Sequence, residues 1–193
     1  MAFTEEESKK IRKALLEEAR LRAVSVGMRK TSVEELTEAV GIAKGSFYKF
    51  YDSKELLFFT VLEEIHSELY GVAKAALEQQ KAVPAWERAA RALMQVCGRL
   101  SETGAMRFIE SDAETILRRI PEEVKAHHYH DDETHIRRIL EESGLAPAAG
   151  MELAAAVIRG VILTVSHRKE IGARYEEVLA ILIRGAMREL FTE

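Results

Sequence analysis

The sequence predicts an all-α protein, with a three-helix head followed by a helical body, about nine helices in all. Three observations lead there. Apolar residues recur at helical spacing along the whole chain. No stretch alternates with period two, and no valine- or threonine-rich run is bounded by hairpin turns. Helix starts and stops punctuate the pattern at regular intervals: Gly27, Gly41, Pro84, Gly104, Pro121 and Gly144.

The first helix is expected from Glu5 to Val26, with Ile11, Leu15, Ala19 and either Ala23 or Leu21 facing inward and Gly27 ending it. Ser32 followed three residues later by Glu35 has the form of a capping box, starting a short helix that reaches Val40 before Gly41. A third short helix is expected over Lys44 to Phe50. Asp52 or Ser53 then caps a long fourth helix, whose Leu57, Val61, Ile65, Leu69 and Val72 hold one apolar face. Pro84 opens a helix running to about Ser101, stopped by Gly104. Ala105 to Arg119 has a less regular pattern. Pro121, Glu122 and Glu123 put proline and acids in the first turn of a helix that ends at Ser143 and Gly144. Met151–His167 and Arg174–Phe191 are the last two. The natural division is 1–52, a helix-turn-helix head, and 53–193, the body.

With 47% hydrophobic residues and three prolines, the 193-residue chain can build a sizeable core. No apolar run approaches the roughly 20 residues that span a bilayer. The acidic N-terminus lacks the basic start and apolar centre of a signal peptide. A lone cysteine, Cys97, fits a reducing compartment, so the expectation is a cytoplasmic protein without a membrane partner. The net charge of −4 argues against a generally basic nucleic-acid coat. Residues 1–60 are nevertheless near neutral, with eleven basic against ten acidic residues, and their basic residues are clustered.

One such cluster is Gly41–Leu57, where Lys44, Lys49 and Lys54 are interleaved with Phe47, Tyr48, Phe50 and Tyr51. Two short helices joined at Gly41, Ile42 and Ala43 have the spacing of a helix-turn-helix. Leu36, Val40, Ile42 and Phe47 would pack the pair on the first helix, leaving Lys44, Gly45, Ser46, Tyr48 and Lys49 outward. Lysines and hydroxyls there offer donors to phosphates and base edges, and Gly45 permits close backbone approach. Lys54 lies in the first turn of the next helix, whose amides also attract phosphate.

This stretch resembles the DNA-binding domain of the TetR family of bacterial transcriptional regulators. The residues that carry the resemblance are Gly27, Thr31, Ser32, Val33, Leu36, Val40, Gly41, Ile42, Lys44, Gly45, Phe47, Tyr48, Tyr51, Lys54, Glu55 and Leu56, about a quarter of the chain. The resemblance implies DNA contacts from Thr31, Ser32, Lys44, Gly45, Ser46, Tyr48, Lys49 and Lys54. Ala43 departs from the family's usual serine, Thr37 from alanine, and Ala23 from phenylalanine; Phe50 stands where a polar residue near DNA is frequent. The implied protein is a ligand-responsive regulator, a repressor that binds a palindromic double-stranded operator as a homodimer and is released by a small-molecule effector.

A short head reads only half a site, which asks for a dimer handle. Met151–Val165 is apolar on nearly every face, so it needs partners on more than one side. Ala154, Ala155, Gly160, Gly185 and Ala186 permit close helix approach, and Ile158, Ile162, Val178, Leu179, Leu182, Ile183 and Leu190 continue the face. The resemblance implies that these two helices form a four-helix bundle across a dimer; the alternative is an ordinary protomer core. For the effector, the candidates are Trp86, Met94, Cys97, Phe108 and Tyr129, each also readable as core.

Residues 127–135 hold four of the six histidines. On a continuous helix His128, Asp132 and His135 share one face at i, i+4 and i+7. Such a face could hold a divalent metal, making the protein a metal-responsive regulator or a helical metal-dependent enzyme. It could instead hydrogen-bond a polar effector, titrate near neutrality, or be solvated surface. Nothing else points to catalysis: there is no nucleophile elbow, phosphate loop or dinucleotide fingerprint, and no histidine lies near Cys97 in sequence.

Overall fold

The computed structural model describes residues 3–79, 82–128 and 132–191, and among these it is helical without strands. Helix α1 covers Glu5–Ser25. It opens with a capping box, in which the Thr4 hydroxyl accepts from the Glu7 N–H at 3.2 Å and the Glu7 carboxylate from the Thr4 N–H at 2.8 Å. Leu15, Ala19 and Ala23 are buried while Leu21 is 64% exposed, so Ala23 is the inward residue. A 3-10 turn, Met28–Lys30, leads into α2, Val33–Ala39. A second 3-10 helix, Lys44–Lys49, follows. Helix α3 runs over Lys54–Glu78, with the Ser53 hydroxyl accepting from the Leu56 N–H at 3.1 Å.

Downstream lie α4 (Ala85–Thr103), α5 (Ala105–Arg119), α6 (Glu122–His128) and α7 (Asp132–Glu142). The last three are α8 (Met151–Leu163), α9 (Arg168–Ile171) and α10 (Tyr175–Leu190). Two expectations are corrected. Helix α5 is regular over 15 residues. Its pattern looks broken because Asp112, a carboxylate, occupies a buried position between Phe108 and Ile116. The helix expected after Pro121 is described in two stretches, α6 and α7, and the residues between them, 129–131, lie outside the described ones. The helix expected to reach His167 stops at Leu163. There the Thr164 and Ser166 hydroxyls bond back to the carbonyls of Val161 and Leu163, offering the backbone an alternative to further helix.

The chain divides into two compact units. The first comprises the chain up to Ile65 together with Gly104–Lys125; the second comprises His66–Thr103 and the chain from Ala126 onward. These bounds differ from a cut at residue 52, since the start of α3 and all of α5 fall in the first unit. In that unit α1 packs on α2 and α5, around Leu15, Met28, Leu36, Phe47, Phe58 and Phe108. In the second unit α10 packs on α4 and α8, and α7 on α8. Its core includes Leu93, Cys97, Leu100, Ala155, Leu179 and Ile183.

Candidate nucleic-acid interface

The turn between α1 and α2 is set by Gly27, at φ 86° and ψ 162°, a backbone region that is essentially glycine-only. The Thr31 hydroxyl donates to the Gly27 carbonyl at 2.9 Å, and Thr31 is buried. Ser32 is the N-cap of α2, its hydroxyl accepting from the Glu35 N–H at 3.1 Å. Glu35 returns the contact by accepting from the Ser32 N–H at 2.7 Å. This backbone hydrogen bond, then the Ser32 hydroxyl, holds the Glu35 carboxyl below its ordinary range. The capping contribution is therefore complete above the ordinary carboxylate range and is lost as pH falls through the lowered value. Helix α2 ends in a tight turn in which the N–H groups of Gly41 and Ile42 bond to Glu38 and Thr37 carbonyls. Thr37, buried, spends its hydroxyl on the carbonyls of Val33 and Glu34.

The element expected to read DNA is a 3-10 helix. At three residues per turn, positions i and i+3 eclipse. Phe47 and Phe50 therefore lie on one ridge, and both are buried. Tyr48 lies on another ridge with Gly45 and is 56% exposed. Phe50, which stands where the resembled family frequently has a polar residue near DNA, packs against Phe3 with ring centroids 5.6 Å apart. Phe47 anchors the element, edge-on to Tyr48 at 5.4 Å. Ala43 has the extended backbone of an N-cap but no side chain to serve as one, as its sequence implies.

The expected contact residues divide by exposure. Ser32, Lys44, Gly45, Tyr48 and Lys49 are exposed and Ser46 is half-buried. Lys44 forms an exposed ion pair with Glu34 at 3.2 Å, of the kind worth little. The Lys49 ammonium stands over the Phe3 ring, 5.4 Å from its centroid. Two residues are otherwise engaged. Thr31 is enclosed, and the Lys54 ammonium donates to the carbonyls of Met28 at 2.9 Å and Thr31 at 2.6 Å. Sequence reasoning missed Phe3 and Arg29. Phe3 is separated from its aromatic partner by the whole of the head, and Arg29 meets its partner, Asp112, 83 residues away.

The described effector candidates divide between the two units. Trp86, Met94 and Cys97 lie on α4 in the second unit, whereas Phe108 lies in the core of the first, 6.1 Å from Phe58. The Arg188 guanidinium covers the Trp86 ring at 4.4 Å. Burial pushes the Cys97 thiol up to about 12, leaving it protonated at neutral pH. Tyr129 and the side chains of His128 and Asp132 lie outside the described residues. His135 stacks on Tyr70, ring centroids 4.5 Å apart. Among the described residues no group of three or more His, Cys, Asp or Glu is placed to hold a metal.

In the expected dimer handle, Ala155, Leu179 and Ile183 are buried within the protomer itself. Ile158, Ile162 and Ala186 are half-buried. Of that set, Leu182 is exposed. The exposed apolar residues of these helices are Leu153 and Leu163 on α8 and Ile181 and Leu182 on α10. Ala156 and Gly160 complete a stripe with Leu153 and Leu163 at spacings of three and four.

Residues 15–61 match the family model of bacterial regulatory proteins, tetR family. The matched stretch, about a quarter of the chain, is a TetR-family N-terminal domain. The match starts at the first buried leucine of α1 and takes in both turns flanking α2, the 3-10 helix and the start of α3. The chain is 30% identical over 69 residues to the nucleoid occlusion factor SlmA of Glaesserella parasuis, covering 36% of this chain and 32% of that one. It thus spans about a third of the length of the curated relatives it matches. Its fold is similar over nearly its full length to solved regulators. One is a TetR-family transcriptional regulator of Mesorhizobium loti, with TM-score 0.69, 18% identity and 96% of each chain covered. Another is the regulator FadR of Bacillus subtilis in complex with stearoyl-CoA, with TM-score 0.64, 14% identity and 92% and 98% covered. No helix among the described residues is long and apolar enough to cross a membrane.

Proposed function

We propose that this protein is a DNA-binding transcriptional regulator of the cytoplasm, a repressor that reads a palindromic operator as a homodimer and is released by a small molecule. The observation that carries the reading is the second 3-10 helix. Phe47 and Phe50 bury one ridge of it, and Lys44, Gly45, Tyr48 and Lys49 stand exposed beside a capped α2. A fixed element that presents two ammonium groups, a phenol and an open glycine backbone is suited to phosphates and a major-groove edge.

The homodimer reading is supported by the exposed stripe of α8 and by Ile181 and Leu182 of α10, apolar surface that a second copy would cover. The effector reading is supported by likeness of fold to a regulator solved with stearoyl-CoA bound. Selecting operators from a random duplex pool and titrating the winner at several salt concentrations tests the DNA-binding reading. Lys44→Ala combined with Tyr48→Phe should weaken binding at least tenfold. The log–log salt slope should fall by about 0.9, because the double variant has one ammonium fewer to set against a phosphate. Unchanged affinity and slope would remove these residues from the interface, and a pool that yields no palindrome would remove the dimeric operator.

A further inference from the structure

We propose that Asp112 is a positioning residue for DNA binding, acting through the turn between α1 and α2; the proposal rests on the DNA-binding reading above. Asp112 is 1% exposed in the middle of α5, at a place in the helical pattern that otherwise takes apolar side chains. Its carboxylate accepts from the Met28 N–H at 3.0 Å, from Arg29 Nε at 3.2 Å and from the Ser111 hydroxyl at 3.1 Å. A buried carboxylate is costly unless its lone pairs are taken up, and a well-packed apolar residue would serve stability equally well. What the carboxylate adds is a directed hold on one peptide group 84 residues away.

Met28 is held through its next peptide group as well. The Met28 N–H goes to Asp112 while the Met28 carbonyl accepts from Lys54 of α3. The same ammonium takes the Thr31 carbonyl, one residue before the Ser32 cap of α2. The turn that launches α2 is thus clamped between an anion from α5 and a cation from α3, and both anchors lie in the first compact unit. Gly27 completes the fit, because a Cβ there would stand 2.8 Å from the Asp112 carboxylate oxygen. Since α2 and the 3-10 helix after it are joined by a short turn, fixing where α2 begins fixes where Lys44, Tyr48 and Lys49 stand. Asp112 touches no DNA in this scheme; it sets the register of the residues that do.

The test is Asp112→Asn in the full chain. The amide oxygen can still accept from Met28, but the amide N–H groups face the Arg29 guanidinium donor to donor. The folded variant should bind the selected operator at least tenfold more weakly at an unchanged salt slope, because every phosphate-binding side chain is still present. Amide exchange should quicken at Glu35, in the first turn of α2, and stay at the wild-type rate in α10. Wild-type affinity in folded Asp112→Asn overturns the proposal. So does a slope lowered by about one, which would make Arg29 a phosphate ligand and Asp112 only its partner. If Asp112→Asn does not fold, Arg29→Gln loosens the same hold at an exposed residue. It should cost at least threefold in affinity at unchanged slope, and wild-type affinity there overturns the proposal equally. A wild-type protein that selects no operator ends the DNA-binding reading and this proposal together. An operator complex indifferent to Asp112→Asn ends the positioning role alone.

Discussion

Two glycine turns flank α2, and they are built in opposite ways. Gly27, before the helix, has a carboxylate oxygen 2.8 Å from where its Cβ would be. Gly41, after it, has φ 73° and open space in the same direction. The first turn is gripped by Asp112, Lys54, the Thr31 hydroxyl and a complete capping box. The second rests on backbone hydrogen bonds from Gly41 and Ile42, then enters a 3-10 helix whose N-cap is Ala43. The element nearest the proposed DNA thus has the fixed joint upstream and the lightly held joint next to it. Such an arrangement sets α2 firmly, and the short turn at Gly41 carries that placement on to the 3-10 helix.

Replacing Gly27 by alanine should break this contrast most severely. A side chain at φ 86° and ψ 162° carries roughly 1–3 kcal/mol of backbone strain. The contact with Asp112 adds to it, because the carboxylate is buried and tied to three donors. A loss of about 3 kcal/mol corresponds to a fall of roughly 6–12 °C in unfolding midpoint for a chain of this size. Differential scanning calorimetry reads it. A midpoint within about 2 °C of wild type would mean that Asp112 yields easily, and the upstream joint would be no firmer than the downstream one.

The same contrast shows what the sequence could and could not convey. Ser32 and Glu35 declare their capping box within four residues, and Gly41 declares its turn, because the physics is local. Asp112 was invisible as an anchor. A carboxylate in a helical pattern reads as a solvated position until the fold brings Met28 and Arg29 to it. The packing of Phe50 was illegible for a different reason: its partner Phe3 lies at the far end of the head, and six residues are too few to reveal a period of three. In the body, helical periodicity conveyed that α8 and α10 are apolar, but not which apolar residues the protomer keeps. Ala155, Leu179 and Ile183 are buried and Leu153, Leu163 and Ile181 are exposed, a choice made by packing of α10 on α4 and α8.

Gly41→Ala is the intermediate case. The left-handed region disfavours alanine by roughly 1–2 kcal/mol, and with nothing within 4 Å no steric term adds to it. The midpoint should fall by about 2–8 °C, less than for Gly27→Ala. If the two variants melt together, the difference between the joints lies in backbone conformation alone and the carboxylate behind Gly27 contributes nothing.

Ala43→Ser has the smallest expected effect and the opposite sign. Ala43 already sits at φ −68° and ψ 142°, the extended conformation of an N-cap, so the substitution requires no backbone change. The Ser46 N–H already bonds to the Ala43 carbonyl at 2.8 Å. The new hydroxyl would therefore serve the Gly45 N–H, one of the amides a helix start leaves without an intrahelical acceptor. Stability should rise by about 0.5–1 kcal/mol, lifting the midpoint by roughly 1–4 °C. Amide exchange at Gly45 should slow relative to wild type, while exchange in α2 stays as it was, because α2 already has its cap. An unchanged Gly45 rate would mean that this amide finds an acceptor without help from residue 43. The downstream joint would then be as well satisfied as the upstream one, and the looseness attributed to it would have to come from Gly41 alone.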